Sequence, residues 1–421
     1  MIAFYVLSNL TLINAAVIKM AYFPEERAEL IIRANLPQLS GELVQAYLES
    51  GIFCAAHPIP YPSHLRPENG KFGKIPGVRK ITFFWDHYRY CEKILAQTVG
   101  KHKYDRFIVP YLGNMVEYVA VYLAKCNPDI QIAFCEEGTT QARPLQQILS
   151  HLDVGKRTWK DILADKIGEE YFLRKARRYA VQDMYLHIPD SKVVDPWFEN
   201  RRKLPPAFDY PISMRPLEEM SGRLNNEKVT AYNSHMAVFV TGYCDPMSIV
   251  RLENCQAMGE ELPLFLTTCQ ELGVEDVILK PHPGSKVALE HLGKNMEESG
   301  LYVDRDKYLF ETMFIATKSL EDIILICRYS GMPLNIKFWI NKEPYFIYTY
   351  RLFPSYIANQ DYAIEGFIEE MKTVYQHPER IMVPNSLREY CEMLHSVKEK
   401  ILDKRYHYNR KDQFSEGESF A

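Results

Sequence analysis

Along most of the chain, short runs of consecutive apolar residues alternate with longer stretches whose apolar positions recur at helical spacing. Ile2–Leu7 (IAFYVL) reads as a buried strand, and Ser8, Asn9, Thr11 and Asn14 then interrupt the hydrophobicity. That pattern predicts a strand, a polar loop and a helix from about Leu10, rather than a signal peptide or a membrane span. ELIIR (Glu29–Arg33), RFIVP (Arg106–Pro110) and QIAFC (Gln131–Cys135) repeat the strand pattern, with helical spacing over Gly41–Gly51 and Asn114–Cys126. Strand, helix, strand at this pitch predicts βαβ units and a parallel sheet, with Tyr185–Ile188 as its last strand. The pattern fades from Pro189 to Tyr232, where Pro196, Pro205, Pro206, Pro211 and Pro216 punctuate the chain. It restarts with AVFVT (Ala237–Thr241), DVILK (Asp276–Lys280), Leu301–Val303, DIILIC (Asp322–Cys327) and PYFIY (Pro344–Tyr348). Helical spacing covers Glu261–Leu272, Glu311–Thr317, the residues after Gly331 through Trp339, and those after Asp361 to about Lys404. The expected fold class is therefore α/β, with two facing Rossmann-like domains built on parallel sheets. Residues 1–205 form the first domain, 206–235 a linker, 236–380 the second domain, and 381–421 a helix and tail that return to the first.

Composition narrows the function without fixing it. The 421 residues suffice for two domains of roughly 100–200 residues each. A hydrophobic share of 47% with 25% charged residues excludes a mainly disordered chain. The formal charge of −4 shows no global basic excess, so nucleic acid is not an expected partner. The nine cysteines are odd in number and lack Cys-x-x-Cys spacing, and Cys135 and Cys327 lie inside apolar runs. Reduced, buried thiols in a cytoplasmic protein are expected, with neither a disulfide framework nor a zinc ribbon. The stretch Lys404–Lys411 gathers Lys404, Arg405, Arg410 and Lys411 around Tyr406 and Tyr408. It reads either as a peripheral contact with an anionic inner membrane face or as a solvated basic tail.

In open α/β sheets ligands sit beyond the carboxyl ends of the strands, so the residues after Cys135, Thr241, Lys280 and Cys327 carry the candidate chemistry. Glu136-Glu137-Gly138 follow QIAFC. A carboxylate held there can take a proton from a hydroxyl nucleophile; the plainer reading is a solvated acidic helix start. His282 follows DVILK between Pro281 and Pro283, with Gly284 next and Lys280 and Lys286 flanking it. The prolines restrict the backbone around the imidazole, which can then serve a phosphate; the plainer reading is a turn histidine. Two other His-Pro pairs, His57-Pro58 and His377-Pro378, follow no clear buried strand and are read as loop residues. Glu311 opens a helix and could accept from ribose hydroxyls or be a first-turn acid. Ser330-Gly331 precede another helix, as an anion site or as a helix cap. Gly242 closes AVFVT at a position of the same kind, and Asn9, Asn114 and Glu117 are acceptor-side candidates in the first domain.

An acidic pair closing a strand of the first domain, then a His-Pro, a Glu and a Ser in successive loops of the second, resembles bacterial sialyltransferases of the GT-B type. Those include the glycosyltransferase family 52 lipooligosaccharide sialyltransferases and the capsular polysialyltransferases, which share an acidic-acidic-Gly motif, a His-Pro motif and a later pair of hydroxyl residues. Here the first two are Glu136-Glu137-Gly138 and His282-Pro283, while the third departs from the pattern as Ser330-Gly331. The resemblance implies a GT-B-like fold and inverting, metal-independent transfer of sialic acid from CMP-sialic acid to a galactose- or sialic-acid-terminated glycan. It gives Glu136 or Glu137 the role of base and His282 that of assisting departure of CMP; Glu136 is favoured, with Glu137 next, because only one of two adjacent side chains readily faces the cleft from an extended backbone. Glu311 would hold the ribose and Ser330 the phosphate, beside Gly242, Lys280, Pro283, Gly284 and Gly331. No cofactor is implied beyond the CMP-sugar donor. The partners are that donor and an oligosaccharide or glycolipid acceptor, and a homodimer stays open. Transferases using another CMP- or CDP-linked donor, a UDP-sugar 2-epimerase and a non-catalytic sugar- or nucleotide-binding protein remain the alternatives.

Overall fold

The computed structural model describes residues 1–34, 39–60, 78–113, 115–138, 145, 167–224, 226–241, 252–281, 301–304, 310–317, 320–353 and 364–417. The chain divides into two compact units, Met1–Leu217 with Asp361–Glu370, and Glu218–Gln360 with Met371–Ala421.

The first unit is built on β1 (Ile2–Val6), β2 (Ala28–Ala34), β3 (Ala55–Pro60), β4 (Arg106–Val109), β5 (Gln131–Cys135), β6 (Ala180–Leu186) and β7 (Asn200–Lys203). The described helices between them are α1 (Asn9–Tyr22), α2 (Gly41–Glu49), α3 (Val78–Thr98), α4 (Val116–Cys126) and α5 (Glu169–Arg177). The strands form one sheet in the order β3-β2-β1-β4-β5-β6-β7, every neighbouring pair parallel. Strands of a parallel sheet are covered on both faces, which is why they are apolar at consecutive positions. Ala3 and Tyr5, Phe107 and Val109, and Ile132 and Phe134 alternate out of β1, β4 and β5 into one core with residues of α3, α4 and α5. Phe4, on the other face of β1, meets Phe53 edge to face at 5.8 Å.

β3 differs from the sequence reading, which made His57-Pro58 a loop. Both residues lie within this strand, and Ile31 pairs with His57 in parallel register. β3 is the edge of its sheet, where a proline is tolerated because one side of the strand needs no ladder donor. The proposed linker also carries structure: α6 (Pro211–Ser221) begins at a proline, and α7 (Asn226–Ser234) follows. Pro211 suits a first turn, since the amide hydrogen it lacks would have no intrahelical partner there.

The second unit carries β8 (Ala237–Val240), β9 (Val277–Lys280), β10 (Tyr302–Val303), β11 (Ile324–Cys327), β12 (Tyr345–Tyr348) and β13 (Ile381–Met382). They form a parallel sheet in the order β10-β9-β8-β11-β12-β13. Its described helices are α7, α8 (Leu252–Leu272), α9 (Phe310–Ala316), α10 (Met332–Ile340), the end of α11 (Ile364–Val374) and α12 (Leu387–Gly417). Ala237 and Phe239, Val277 and Leu279, and Ile324 and Ile326 face one core, while Val238, Ile278 and Leu325 face the other. The α/β class with two Rossmann-like parallel-sheet units is thus the one observed.

The sequence expectation returned the last helix to the first domain. Instead, α12 packs on the second unit through Tyr390, Leu394, Val397 and Ile401, a helical stripe in the same core as Leu264 and Phe265 of α8. Tyr390 Oη lies 2.6 Å from Thr268 Oγ1, and Lys398 Nζ donates to the carbonyls of Glu271 and Leu272 at the carboxyl end of α8. The segment grouped with the first unit is Asp361–Glu370. There the Glu370 carboxylate accepts from Ser191 Oγ at 2.5 Å and from the Lys192 and Val193 amides.

Candidate active site

Both sheets reverse direction of travel beside their first strand, between β1 and β4 in the first unit and between β8 and β11 in the second. The crevice outside the carboxyl ends at such a switch point is where open α/β sheets take ligands. In the first unit it is bordered by Ser8 and Asn9 after β1, Tyr111 to Gly113 after β4, and the acidic pair after β5.

The two acids have different surroundings because the backbone leaving β5 is still extended and aims successive side chains to opposite sides. Glu136 is buried, 1% exposed. Its Oε2 accepts the His187 amide hydrogen at 2.8 Å, and its own carbonyl accepts from Asn14 Nδ2 at 3.0 Å. Burial pushes its carboxyl up to about 8; the His187 amide opposes that shift and the Glu370 charge adds to it. Glu137 is half-buried, with Oε1 3.5 Å from Ser8 Oγ. Ser8 caps α1, its hydroxyl accepting from the Thr11 amide at 3.2 Å, so the partner of Glu137 is fixed to a helix start. Gly138 follows at φ +53, a left-handed turn that a side chain would strain.

His187 escaped the sequence reading, although it directly follows β6. Its ring is buried, Nδ1 lies 3.1 Å from the Leu204 carbonyl, and desolvation lowers its pKa to about 3, so the imidazole is neutral. A second feature missed from sequence is Met115, at φ +81 immediately before α4. A bulky side chain in that region is strained, and such strain collects at functional sites.

Asn9 is buried, and its Oδ1 accepts the Ser40 amide at 2.8 Å. Its side chain thus holds the entry to α2. Glu117 is buried in the first turn of α4. Asn114 lies outside the described residues.

In the second unit Lys280 ends β9, but its ammonium is buried against Asp304 Oδ2 at 3.0 Å. Asp304 also receives Lys228 Nζ at 3.1 Å and the Tyr232 hydroxyl at 2.7 Å. Lys280 as found is therefore part of a buried polar cluster centred on Asp304, which directly follows β10. Ser330 Oγ accepts the Met332 amide at 3.1 Å, and Tyr348 Oη donates to the Ser330 carbonyl at 2.6 Å. The serine thus lies one residue before the cap residue Gly331, with its hydroxyl on the first amide of α10. Beside it, Arg328 lies 3.1 Å from Glu261 and 4.2 Å over the Phe353 ring. Glu311 is the second residue of α9, and its side chain is not among those described. His282, Pro283, Gly284 and Gly242 lie outside the described residues.

No family model and no curated protein matches the chain. Among solved structures it is similar to the UDP-GlcNAc 2-epimerase of Methanocaldococcus jannaschii, at TM-score 0.48 and 11% identity over 96% of this chain and 93% of the other. Acinetobacter baumannii MurG gives TM-score 0.40 and 9% identity over 95% and 90%. A Burkholderia xenovorans trehalose-phosphate synthase gives 0.41 and 10% over 98% and 99%.

Proposed function

We propose that the chain is a GT-B-type glycosyltransferase that moves sialic acid from CMP-sialic acid to a hydroxyl of a galactose- or sialic-acid-terminated glycan, with inversion and without a metal. The observation that carries this reading is the half-buried carboxylate of Glu137 at the carboxyl end of β5, beside the capping hydroxyl of Ser8. In the reaction the acceptor oxygen bonds to the anomeric carbon while the bond from that carbon to the phosphate oxygen of CMP breaks. The acceptor proton passes to a carboxylate, and the charge left on CMP is met by His282. Sequence alternation favoured Glu136 as that base. Its burial and its bond to the His187 amide reverse the preference. A base must reach the acceptor hydroxyl in its ionised form, and burial both covers Glu136 and favours its protonated form, so Glu137 takes the role and Glu136 supports the turn that presents it.

The test is transfer from CMP-sialic acid to a panel of galactosides, with thermal stabilisation by CMP, CDP and UDP measured alongside. Glu137→Gln should lower kcat by about 10²–10⁴-fold with little change in donor KM, because proton transfer belongs to the chemical step. Near-parental kcat in that variant removes Glu137 from the mechanism. Stabilisation by UDP alone, without transfer, would replace this reading with a UDP-sugar enzyme.

A further inference from the structure

At the opposite end of the first sheet, near the amino ends of the strands, Glu29, His57 and His102 converge. Glu29 is the second residue of β2 and only 1% exposed, and His57 is the third residue of β3 and also buried. In the register Glu29 pairs with Ala55 and Ile31 with His57, so Glu29 and His57 are diagonal neighbours on one face. His102 comes from the loop between α3 and β4, with a side chain 49% exposed. One ligand atom from each lies within 4.8 Å of the others.

We propose that Glu29, His57 and His102 bind a divalent transition-metal ion of the zinc class, which clips β2, β3 and the α3–β4 loop together. The donor set carries the first part of the argument. Two imidazoles and one carboxylate are borderline ligands that suit zinc and its neighbours better than magnesium or calcium, which take oxygen. Spacing carries the second. His57 Nε2 and His102 Nδ1 lie 2.9 and 3.3 Å from the same Glu29 Oε2. Bonds of about 2.0–2.1 Å at tetrahedral angles separate neighbouring ligand atoms by about 3.3 Å, so two edges of such a site are already close to the right length. Crowding carries the third. Tyr104 Oη also donates to Glu29 Oε2, at 2.5 Å, so three groups contend for one carboxylate oxygen. A cation would take the lone pairs of both imidazoles in place of two of those hydrogen bonds. Tyr104 would then orient the carboxylate from outside, as partners behind metal ligands do.

The site also has an approach from solvent through His102 and room for a fourth ligand. Cys54 is exposed, with Sγ 3.7 Å from Glu29 Oε1, so water or this thiolate can complete the set. The acidic pair, at the carboxyl end of β5, lies at the other end of the strands, so failure of either proposal leaves the other standing.

The experiment titrates the metal-free full-length protein with Co²⁺ and then Zn²⁺, reading the ligand-field absorption of cobalt and the melting temperature. One equivalent of Co²⁺ should give a four- or five-coordinate spectrum, Zn²⁺ should displace it, and excess Mg²⁺ should not. His102→Ala is the decisive variant, because this half-exposed loop side chain can be removed without opening the core. Its metal-free melting temperature should match the parent, and its Co²⁺ affinity should fall at least about tenfold. Cys54→Ser should retain the binding. An octahedral cobalt spectrum, a His102→Ala affinity within about twofold of the parent, or binding lost in Cys54→Ser but kept in His102→Ala each overturns the proposal.

Discussion

Glu136 and His187 meet through a backbone amide rather than through the imidazole, and each is held in its uncharged form by burial. Their titrations pull stability in opposite directions. The folded-state pKa of Glu136 is raised to about 8, so between the usual carboxylate range and pH 8 the folded protein holds a proton that the unfolded chain has lost, and stability falls as pH rises through that window. The pKa of His187 is depressed to about 3, so between the usual imidazole value and pH 3 the unfolded chain holds the extra proton, and stability falls as pH drops. The two slopes oppose one another where the windows overlap, roughly pH 4.5 to 6.5, and only the Glu136 slope remains above it. Glu136→Gln should therefore flatten the alkaline side of the stability profile. Relative to the parent, the variant should be more stable at pH 8.5 than at pH 5. Parallel profiles from denaturant unfolding across that range would show that Glu136 is not protonated in the fold. The acidic pair was legible in sequence because two acids closing an apolar strand stand out. His187 was not, because its contribution to Glu136 is a backbone hydrogen bond, which leaves no trace in residue type.

At the level of elements, runs of consecutive buried residues such as those of β1, β5 and β11 are readable because both faces of a parallel strand are covered. Edge elements obey weaker constraints. β3 contains Pro58, and β13 is only Ile381–Met382, so neither shows an apolar run long enough to distinguish it from a loop. Helix α12 was legible as a helix, but its partner was not. The stripe of Tyr390, Leu394, Val397 and Ile401 states that one face is covered without saying by what. That face lies against α8, with Lys398 on the carbonyls that end α8, a favourable position for a cation at the negative end of a helix. Leu394 is fully buried in this seam. Leu394→Ala should cost about 2–5 kcal/mol by loss of burial and cavity formation, read as an earlier unfolding transition of the second unit in urea. A loss below about 0.5 kcal/mol, typical of an exposed position, would place α12 elsewhere.

Across the whole molecule the chain does not simply leave one unit and enter the next, since Asp361–Glu370 belongs with the first unit although the residues before and after it belong with the second. What secures that return is local and testable. Besides the Glu370 carboxylate on Ser191, Lys192 and Val193, α11 approaches the same loop closely at Gly366, where an added Cβ would lie 2.7 Å from Val193 Cγ1. Two effects compete in Gly366→Ala. Alanine is favoured over glycine inside a helix by about 0.8–1.0 kcal/mol, whereas an overpacked contact typically costs about 1–3 kcal/mol. With Val193 present the clash should win, and Gly366→Ala should destabilise the protein. In a Val193→Ala background the obstructing methyl is gone and only the helix preference remains, so the same substitution should become neutral or stabilising. The measurement is a double-mutant cycle by denaturant unfolding, with an expected coupling of about 1–3 kcal/mol between the two positions. Additive effects would mean that α11 does not press on the 191–193 loop at Gly366, leaving the Glu370 hydrogen bonds to Ser191, Lys192 and Val193 as the tie of this segment to the first unit.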